Sequence, residues 1–432
     1  MKSVYIAPML ATPELIRENA QFSRLAELLP RWRRVPLYRD SLARANCRLS
    51  APNLRADFSR LPLLGKREMR TGFPHNFLPD APPLENLVEN HLLELEHTSG
   101  TTEERLPVIF PRGWWDAQEQ RALRLNAFVA KILEEHPHAR RVTITAPNCN
   151  GLTCPRGWMS REERTLGNTL FANLARIPFL LSETELARMA SEIEEWSPQF
   201  LDVDPVHGAW FALYCERHGI QFPSLKFVLC SYEFPSVVHR RILQRVFGVP
   251  VFNLYGSTET GHLLIENERG EMKASLDTAF LEIVEPGARG IGALAVTTLS
   301  NDYMPLLRYR IGDLAERREQ PYGTHYLVHG RAAAALTSTT GRRLTTWDID
   351  QCFTDTNGIA HYELRQYSNG NLLLCYIPEH SGPAKTTLHR ITSQVTALLN
   401  LRTKIGTQSM DVLLPSASGK FRLTNPGPNQ SL

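Results

Sequence analysis

Between about residues 114 and 254, short apolar runs alternate with amphipathic stretches of ten residues or more. Val142-Thr143-Ile144-Thr145, Lys226-Phe227-Val228-Leu229 and Val249 to Leu254 read as strands. Trp114 to Glu135, Arg161 to Ala175, Glu183 to Trp196, Val206 to His218 and Ser236 to Phe247 read as helices, and Ile177 to Leu181 looks extended. Strands separated by helices of this length imply an α/β layer with parallel strands. Upstream, Arg17 to Leu29 and Val35 to Ala45 read as helices, and Pro79, Pro82 and Pro83 mark a loop. After residue 280 the texture changes. Phe280 to Val284, Ala293 to Thr298 and Leu306 to Tyr309 read as strands, and Glu316 to Gly323 is polar and turn-rich. Beyond Gly330 comes a smaller α+β unit, with strands at His361 to Gln366, Asn371 to Ile377 and Met410 to Leu414 and a helix at Thr386 to Leu399. The expected fold class is α/β: a large domain over 1–328 with layered, partly parallel sheets, and a small mobile α+β domain over 329–432.

Composition excludes several classes. A chain of 432 residues is too long for one ordinary core. With 42% hydrophobic and 22% charged residues it is far from the signature of disorder. The net charge of +3, without a basic stripe, gives no reason to expect nucleic acid. No run approaches the roughly 18 apolar residues that span a bilayer, so no membrane partner is expected. The N-terminus, Met1-Lys2-Ser3-Val4-Tyr5-Ile6-Ala7-Pro8, predicts no secretory leader. Seven scattered cysteines (47, 149, 154, 215, 230, 352 and 375) suit neither a disulfide framework nor a zinc cluster, and predict a reducing cytoplasm.

Five short motifs carry polar chemistry. Thr98-Ser99-Gly100-Thr101-Thr102 can wrap polyphosphate with N–H and O–H donors, or be an ordinary Ser/Thr/Gly loop. Tyr255-Gly256-Ser257-Thr258-Glu259-Thr260-Gly261 follows an apolar strand, where α/β sheets present ligand sites. Glu259 offers a hard oxygen ligand suited to Mg²⁺ and Tyr255 a flat face; the bland alternative is a helix N-cap at Ser257 or Thr258. In Tyr309-Arg310-Ile311-Gly312-Asp313-Leu314, Asp313 can accept from a ribose diol, or Gly312-Asp313 is a plain turn. In His329-Gly330-Arg331, the Arg331 fork can bind phosphate or ribose, or be a surface arginine. In Ser416-Ala417-Ser418-Gly419-Lys420, Lys420 can bring charge to a forming bond, or be solvated.

In order and spacing the set resembles the adenylate-forming superfamily of acyl-CoA synthetases, adenylation domains and luciferases. From Thr98 to Lys420 it covers most of the chain. The stretch Val228 to Gly261 matches best, with Leu229-Cys230-Ser231-Tyr232-Glu233 at the family's adenine-contacting loop. Length and a short N-terminal region resemble the phenylacetate–CoA ligase branch, which includes acid-activating proteins of antibiotic pathways.

The resemblance implies ATP and Mg²⁺ as cofactors, a small-molecule carboxylic acid as substrate, and two steps. The acid attacks the α-phosphorus, giving acyl-AMP and pyrophosphate; CoA, a phosphopantetheine carrier thiol or an amine then displaces AMP. By the same analogy Thr98 to Thr102 hold the phosphates, Glu259 the metal, Thr258 the α-phosphate or acyl carboxylate, Asp313 the ribose and Lys420 the forming anhydride. Arg331 supports ribose or hinge, and Ser231, Tyr232, Glu233, Tyr255, Gly256 and Ser257 surround the nucleotide. Pro147, Asn148, Tyr232, Tyr255 and His262 are the candidate lining of an acid pocket, whose aromatic and amide character favours an aryl or heteroaryl acid. A carrier protein and a homodimer are the remaining partner expectations.

Two departures stand out. The phosphate loop continues Glu103-Glu104-Arg105 where the family has a flexible glycine and a lysine, and acids there repel a triphosphate. The hinge reads Arg331-Ala332-Ala333-Ala334-Ala335, without the usual acidic pivot. They keep open a non-catalytic scaffold. Cys352 and Cys375 keep open an acyl-protein synthetase, although both look like core residues.

Overall fold

The computed structural model describes residues 13–44, 54–78, 83–98, 105–147, 159–321, 323–367 and 369–427. Among these, twelve strands form one sheet with two characters. Thr169–Phe171, Arg141–Ile144, Phe200–Val203, Phe227–Cys230 and Val251–Ser257 lie side by side and parallel. Every residue of Phe200–Val203 and Phe227–Cys230 is buried, as expected of strands covered on both faces. The crossover helices are Glu183–Trp196, Pro205–His218 and Val237–Phe247. Local chemistry sets their ends: Ser182, Asp204 and Ser236 accept hydrogen bonds from the first free amides, and Gly219 and Gly248 close the latter two in left-handed geometry.

The other half is antiparallel and runs outward as Gly261–Glu266, Met272–Ala274, Gly323–Arg331, Tyr309–Gln320, Gly292–Thr298 and Ala279–Val284. The N-terminal helices Pro13–Trp32 and Pro36–Arg44 pack on this half. Tyr38 donates its hydroxyl to the Pro305 carbonyl at 2.7 Å and accepts from the Leu307 amide at 3.1 Å. Leu64 bridges the strand at Tyr309, through Leu64 N to Arg308 O and Arg310 N to Leu64 O, so the helix Lys66–Arg70 begins beside the sheet.

The last strand of the large sheet continues to Arg331. The C-terminal unit has a four-stranded sheet, ordered Gly406–Ser409, Leu372–Pro378, Ile359–Gln366 and Thr424–Asn425, with the helix Lys385–Leu399. It packs firmly on the crossover helices. Buried Asp350 accepts from the Val237 amide at 2.9 Å and the Tyr362 hydroxyl at 2.7 Å, and Glu379 pairs with Arg241 and Arg245. One apolar core runs from Val238 and Ile242 through Ile349 and Phe353 to Ile391 and Val395.

Several local readings are corrected. The helix expected over 114–135 is two, Trp114–Leu123 and Ala127–Glu135, because Asn126 caps the second through Val129 N and donates to Glu266 O. The helix expected over 161–175 is largely the hairpin Thr165–Leu166 and Thr169–Phe171, turned at Gly167 with φ of 55°. The polar run from Glu316 lies at the exposed end of the strand Tyr309–Gln320 rather than in a turn-rich loop. Ile177 to Leu181 holds a single 3-10 turn, Pro178–Leu180. The final strand before the tail is Gly406–Ser409, ahead of the expected Met410. No helix begins at Ser257 or Thr258: the chain turns there between antiparallel strands, so the capping alternative falls.

Candidate active site

The strand Val251–Ser257 is the last parallel strand, and its carboxyl end meets the antiparallel half. Gly256 is required there, since a Cβ would lie 2.3 Å from the Gly261 carbonyl oxygen. The tight return places Thr258 and Glu259 on the wall of a cavity of about 410 Å³.

Three polar groupings converge on that cavity. Tyr255 donates to Asp313 Oδ2 at 2.6 Å, and Arg331 Nε lies 3.2 Å from Asp313 Oδ1. Burial, and then the Asp313 carboxylate, push the Tyr255 phenol well up, so it stays a donor. Gly312, at φ of 97°, leaves room for the guanidinium: a Cβ would be 3.2 Å from Arg331 Nη1.

Glu259 forms the second grouping. It is 5% exposed, accepts from the Tyr309 hydroxyl at 2.8 Å and lies 3.5 Å from Lys66 Nζ. Burial opposes its charge, but Lys66, backbone and hydroxyl donors outweigh burial and hold the carboxyl below its ordinary range. A buried carboxylate kept ionised on a cavity wall fits Mg²⁺, which is held by one or two carboxylates plus phosphates and water.

The third is the tail. Lys420 Nζ donates to the Tyr232 carbonyl at 2.9 Å, and the Phe421 amide donates to Glu233 Oε1 at 2.8 Å. Arg176 holds the carbonyls of Ser416 and Ala417 at 2.9 and 2.8 Å. Tyr232 has a φ of 71° and anchors its hydroxyl on Asp202 at 3.1 Å. Burial first, then Asp204, drive the Glu233 carboxyl well up.

Thr98, Tyr232, Glu233, Tyr255, Gly256 and Ser257 thus share one cavity with Thr258, Glu259, Asp313, Arg331 and Lys420. Thr98 uses its Oγ1 to accept from the Leu106 amide at 3.0 Å. Ser231 is buried just behind the wall, and neither Pro147 nor His262 lines this cavity. His262 stands edge-on to Trp115 at 5.0 Å, and burial pushes its imidazole down to about 4, so it is neutral. Ser99, Gly100, Thr101, Thr102 and Asn148 lie outside the described residues, as do Glu103 and Glu104. Ala332–Ala334 is one 3-10 turn, with Ala333 and Ala334 on the cavity. Cys352 and Cys375 are both buried.

No family model matches the chain. A phenylacetate–coenzyme A ligase of Pseudomonas putida is 24% identical over 407 residues, covering 88% of this chain and 87% of that one. A phenylacetate–coenzyme A ligase of Thermus thermophilus is 24% identical over 296 residues, covering 66% and 61%. Among solved structures, 2-hydroxyisobutyryl-CoA ligase in its postadenylation state, in complex with R3-HIB-AMP, superposes with a TM-score of 0.70 at 16% identity, covering 96% of this chain and 93% of that chain. The chain is similar in sequence to phenylacetate–CoA ligases, and its fold is that of the adenylate-forming CoA ligases. Against an open conformation of the same 2-hydroxyisobutyryl-CoA ligase, with 2-HIB-AMP and CoA, the TM-score is 0.57.

Sequence reasoning missed Lys66, His239 and His361, all on the cavity. Lys66 sits in no motif; the one pointer was the lysine missing from the phosphate loop, which leaves a charge to be supplied from elsewhere. The two histidines come from a helix and a strand 122 residues apart, a pairing that only the tertiary fold creates.

Proposed function

We propose that the chain activates a small aryl or heteroaryl carboxylic acid by AMP transfer from ATP, and then passes the acyl group to the thiol of CoA. The observation that carries this reading is the convergence of Asp313, Glu259 and Lys420 on one cavity. Displacement at phosphorus needs positioning and charge neutralisation more than covalent help from the protein. Asp313, held by Tyr255 and Arg331, is the acceptor for the ribose diol. Glu259 would hold Mg²⁺, which neutralises phosphate charge when bound. Lys66 adds a cation beside it, in place of the lysine absent from the phosphate loop. Thr258 faces the α-phosphate, and Lys420 carries positive charge to the carboxylate that attacks it.

The closer likeness to the postadenylation arrangement than to the open one supports a C-terminal unit seated for the first step. In this reading residues 329–432 are the part that moves before thiol transfer. The test is acid-dependent exchange of labelled pyrophosphate into ATP across aryl, heteroaryl and alkyl acids, followed by CoA-dependent AMP release with the best acid. Exchange with none of them defeats the proposal; exchange confined to alkyl acids defeats the substrate class.

A further inference from the structure

A group of buried titratable side chains lies at the inner end of the cavity, where the C-terminal unit meets the crossover helices. His239, on the helix Val237–Phe247, and His361, on the strand Ile359–Gln366, meet across the joint, Nε2 to Nδ1 at 3.0 Å. Their rings stack at 5.2 Å with planes 18° apart, and both line the cavity. Phe421, the residue after Lys420, packs edge-on to His361 at 5.2 Å, to Phe179 at 5.6 Å and to His207 at 6.1 Å. The imidazole pair is therefore part of the surface on which the lysine-bearing tail is seated.

We infer that His239 and His361 are positioning residues that seat Lys420 while their shared hydrogen bond carries no net charge, and that protonation of the pair releases the tail. This rests on the reading of Lys420 as a first-step residue. An imidazole–imidazole bond needs one N–H donor and one bare nitrogen; two imidazoliums have only donors and repel. In the seated arrangement burial pushes His239 down to about 4, and burial with His239 and His207 pushes His361 well below its ordinary value.

The charged and titratable groups facing the pair come from every element around it. Asp204 caps the helix Pro205–His218 and lies 3.2 Å from His207 Nδ1. Arg241 follows His239 on its helix and is turned to Glu379. Glu233 and Lys420 close the side toward the cavity. Asp204 favours a proton on His239, whereas Arg241 opposes it. Glu233 is the competing titratable group at the seat, so the test must separate it from the pair.

Both imidazoles have lower affinity for protons when seated than when solvated, so the seated state is favoured at neutral pH and loses ground as pH falls below the ordinary imidazole value. From about pH 7.5 to about pH 5.5 the shift toward release is about tenfold for each imidazole that regains an ordinary pKa near 6.5.

The experiment is the pH profile of pyrophosphate exchange by the full chain, with an acid that supports exchange. It compares wild type, His239→Gln with His361→Asn, and Glu233→Gln. The paired amides place hydrogen-bonding groups near the Nε2 and Nδ1 positions without titrating in this range. Wild type and Glu233→Gln are each expected to fall more than about threefold from their own pH 7.5 rates toward pH 5.5, with about tenfold per imidazole as the upper bound, and the paired amide variant to stay within about threefold of its own pH 7.5 rate. Hydrogen exchange at the Phe421 amide, corrected for intrinsic rate, gives a readout independent of turnover. Wild type should lose protection at acid pH. A wild type that keeps both exchange and Phe421 protection, or a paired variant with an unchanged acid limb, overturns the inference. If the paired variant does not fold, Phe421 amide protection in Glu233→Gln decides, because the acceptor of that amide then no longer titrates: loss of protection at acid pH supports the inference and retained protection overturns it. Absence of exchange with every acid at every pH sinks the functional reading instead, and leaves the Phe421 measurement to judge the seat.

Discussion

Asp313→Asn separates a ribose acceptor from a structural turn. The substitution keeps volume and removes charge. Asp313 is 8% exposed, and its two oxygens are taken by Tyr255 and Arg331. Arg331 has a half-exposed side chain, so the lost ion pair costs on the order of 1 kcal/mol or less after solvent screening. The Tyr255 hydrogen bond to a charged acceptor is worth about 1.5–3 kcal/mol, of which the amide oxygen recovers part. Fold stability should therefore drop by about 1–3 kcal/mol, measured by urea unfolding. A carboxylate that accepts two ribose hydroxyls loses more. Two charge-assisted hydrogen bonds at about 1.5 kcal/mol each give about 3 kcal/mol, or roughly a hundredfold in KM for ATP. The assay is pyrophosphate exchange at varied ATP with saturating acid, beside ATP titration calorimetry. The reasoning fails if stability falls as stated while KM for ATP stays within twofold, because Asp313 would then serve only the Tyr255–Arg331 network.

Other perturbations separate the remaining roles. Lys420→Ala should lower acid-dependent exchange about 10²–10³-fold, by loss of a donor aimed at developing charge, with thermal unfolding changed little because, among the described residues, its hydrogen bond is to the Tyr232 carbonyl and its other attraction is to Glu233, whose carboxyl burial drives up; an exchange rate within threefold of wild type counts against it. Lys66→Met should raise KM for MgATP about tenfold or more with little change in KM for the acid, and equal changes in both would point to general damage. Arg164 is 1% exposed, with Glu192 at 2.6 Å and the Phe171 carbonyl at 2.8 Å; Arg164→Met leaves that acid unpaired at one oxygen, and should cost about 3–5 kcal/mol in urea unfolding, whereas less than 1 would show that Arg188 alone suffices.

The parallel half of the fold was legible because its signals are local. Four-residue apolar strands and capped amphipathic helices announce themselves over about ten residues, and Glu183–Trp196 begins and ends where its pattern does. Two of the errors arose where a distant partner decides the outcome, whereas the hairpin about Gly167 is a local turn hidden in a pattern that reads as helical. Asn126 ends one helix and starts another because Glu266, far along the chain, accepts its side chain. The polar stretch after Glu316 is a strand because Gly323–Arg331 pairs with it. Tyr255, Glu259, Asp313, Arg331 and Lys420, which the fold brings onto one cavity, are legible through their order along the chain. Lys66 escaped because a lysine becomes informative only once Glu259 is seen 3.5 Å away.

Isotope transfer tests the central claim most directly. A carboxylic acid labelled with oxygen-18 in both carboxylate oxygens is turned over with ATP and CoA, and the products are weighed by mass spectrometry. Attack of the carboxylate on the α-phosphorus predicts one labelled oxygen in AMP and none in pyrophosphate. Label in inorganic phosphate with ADP as co-product, or unlabelled AMP during acid-dependent turnover, would contradict it.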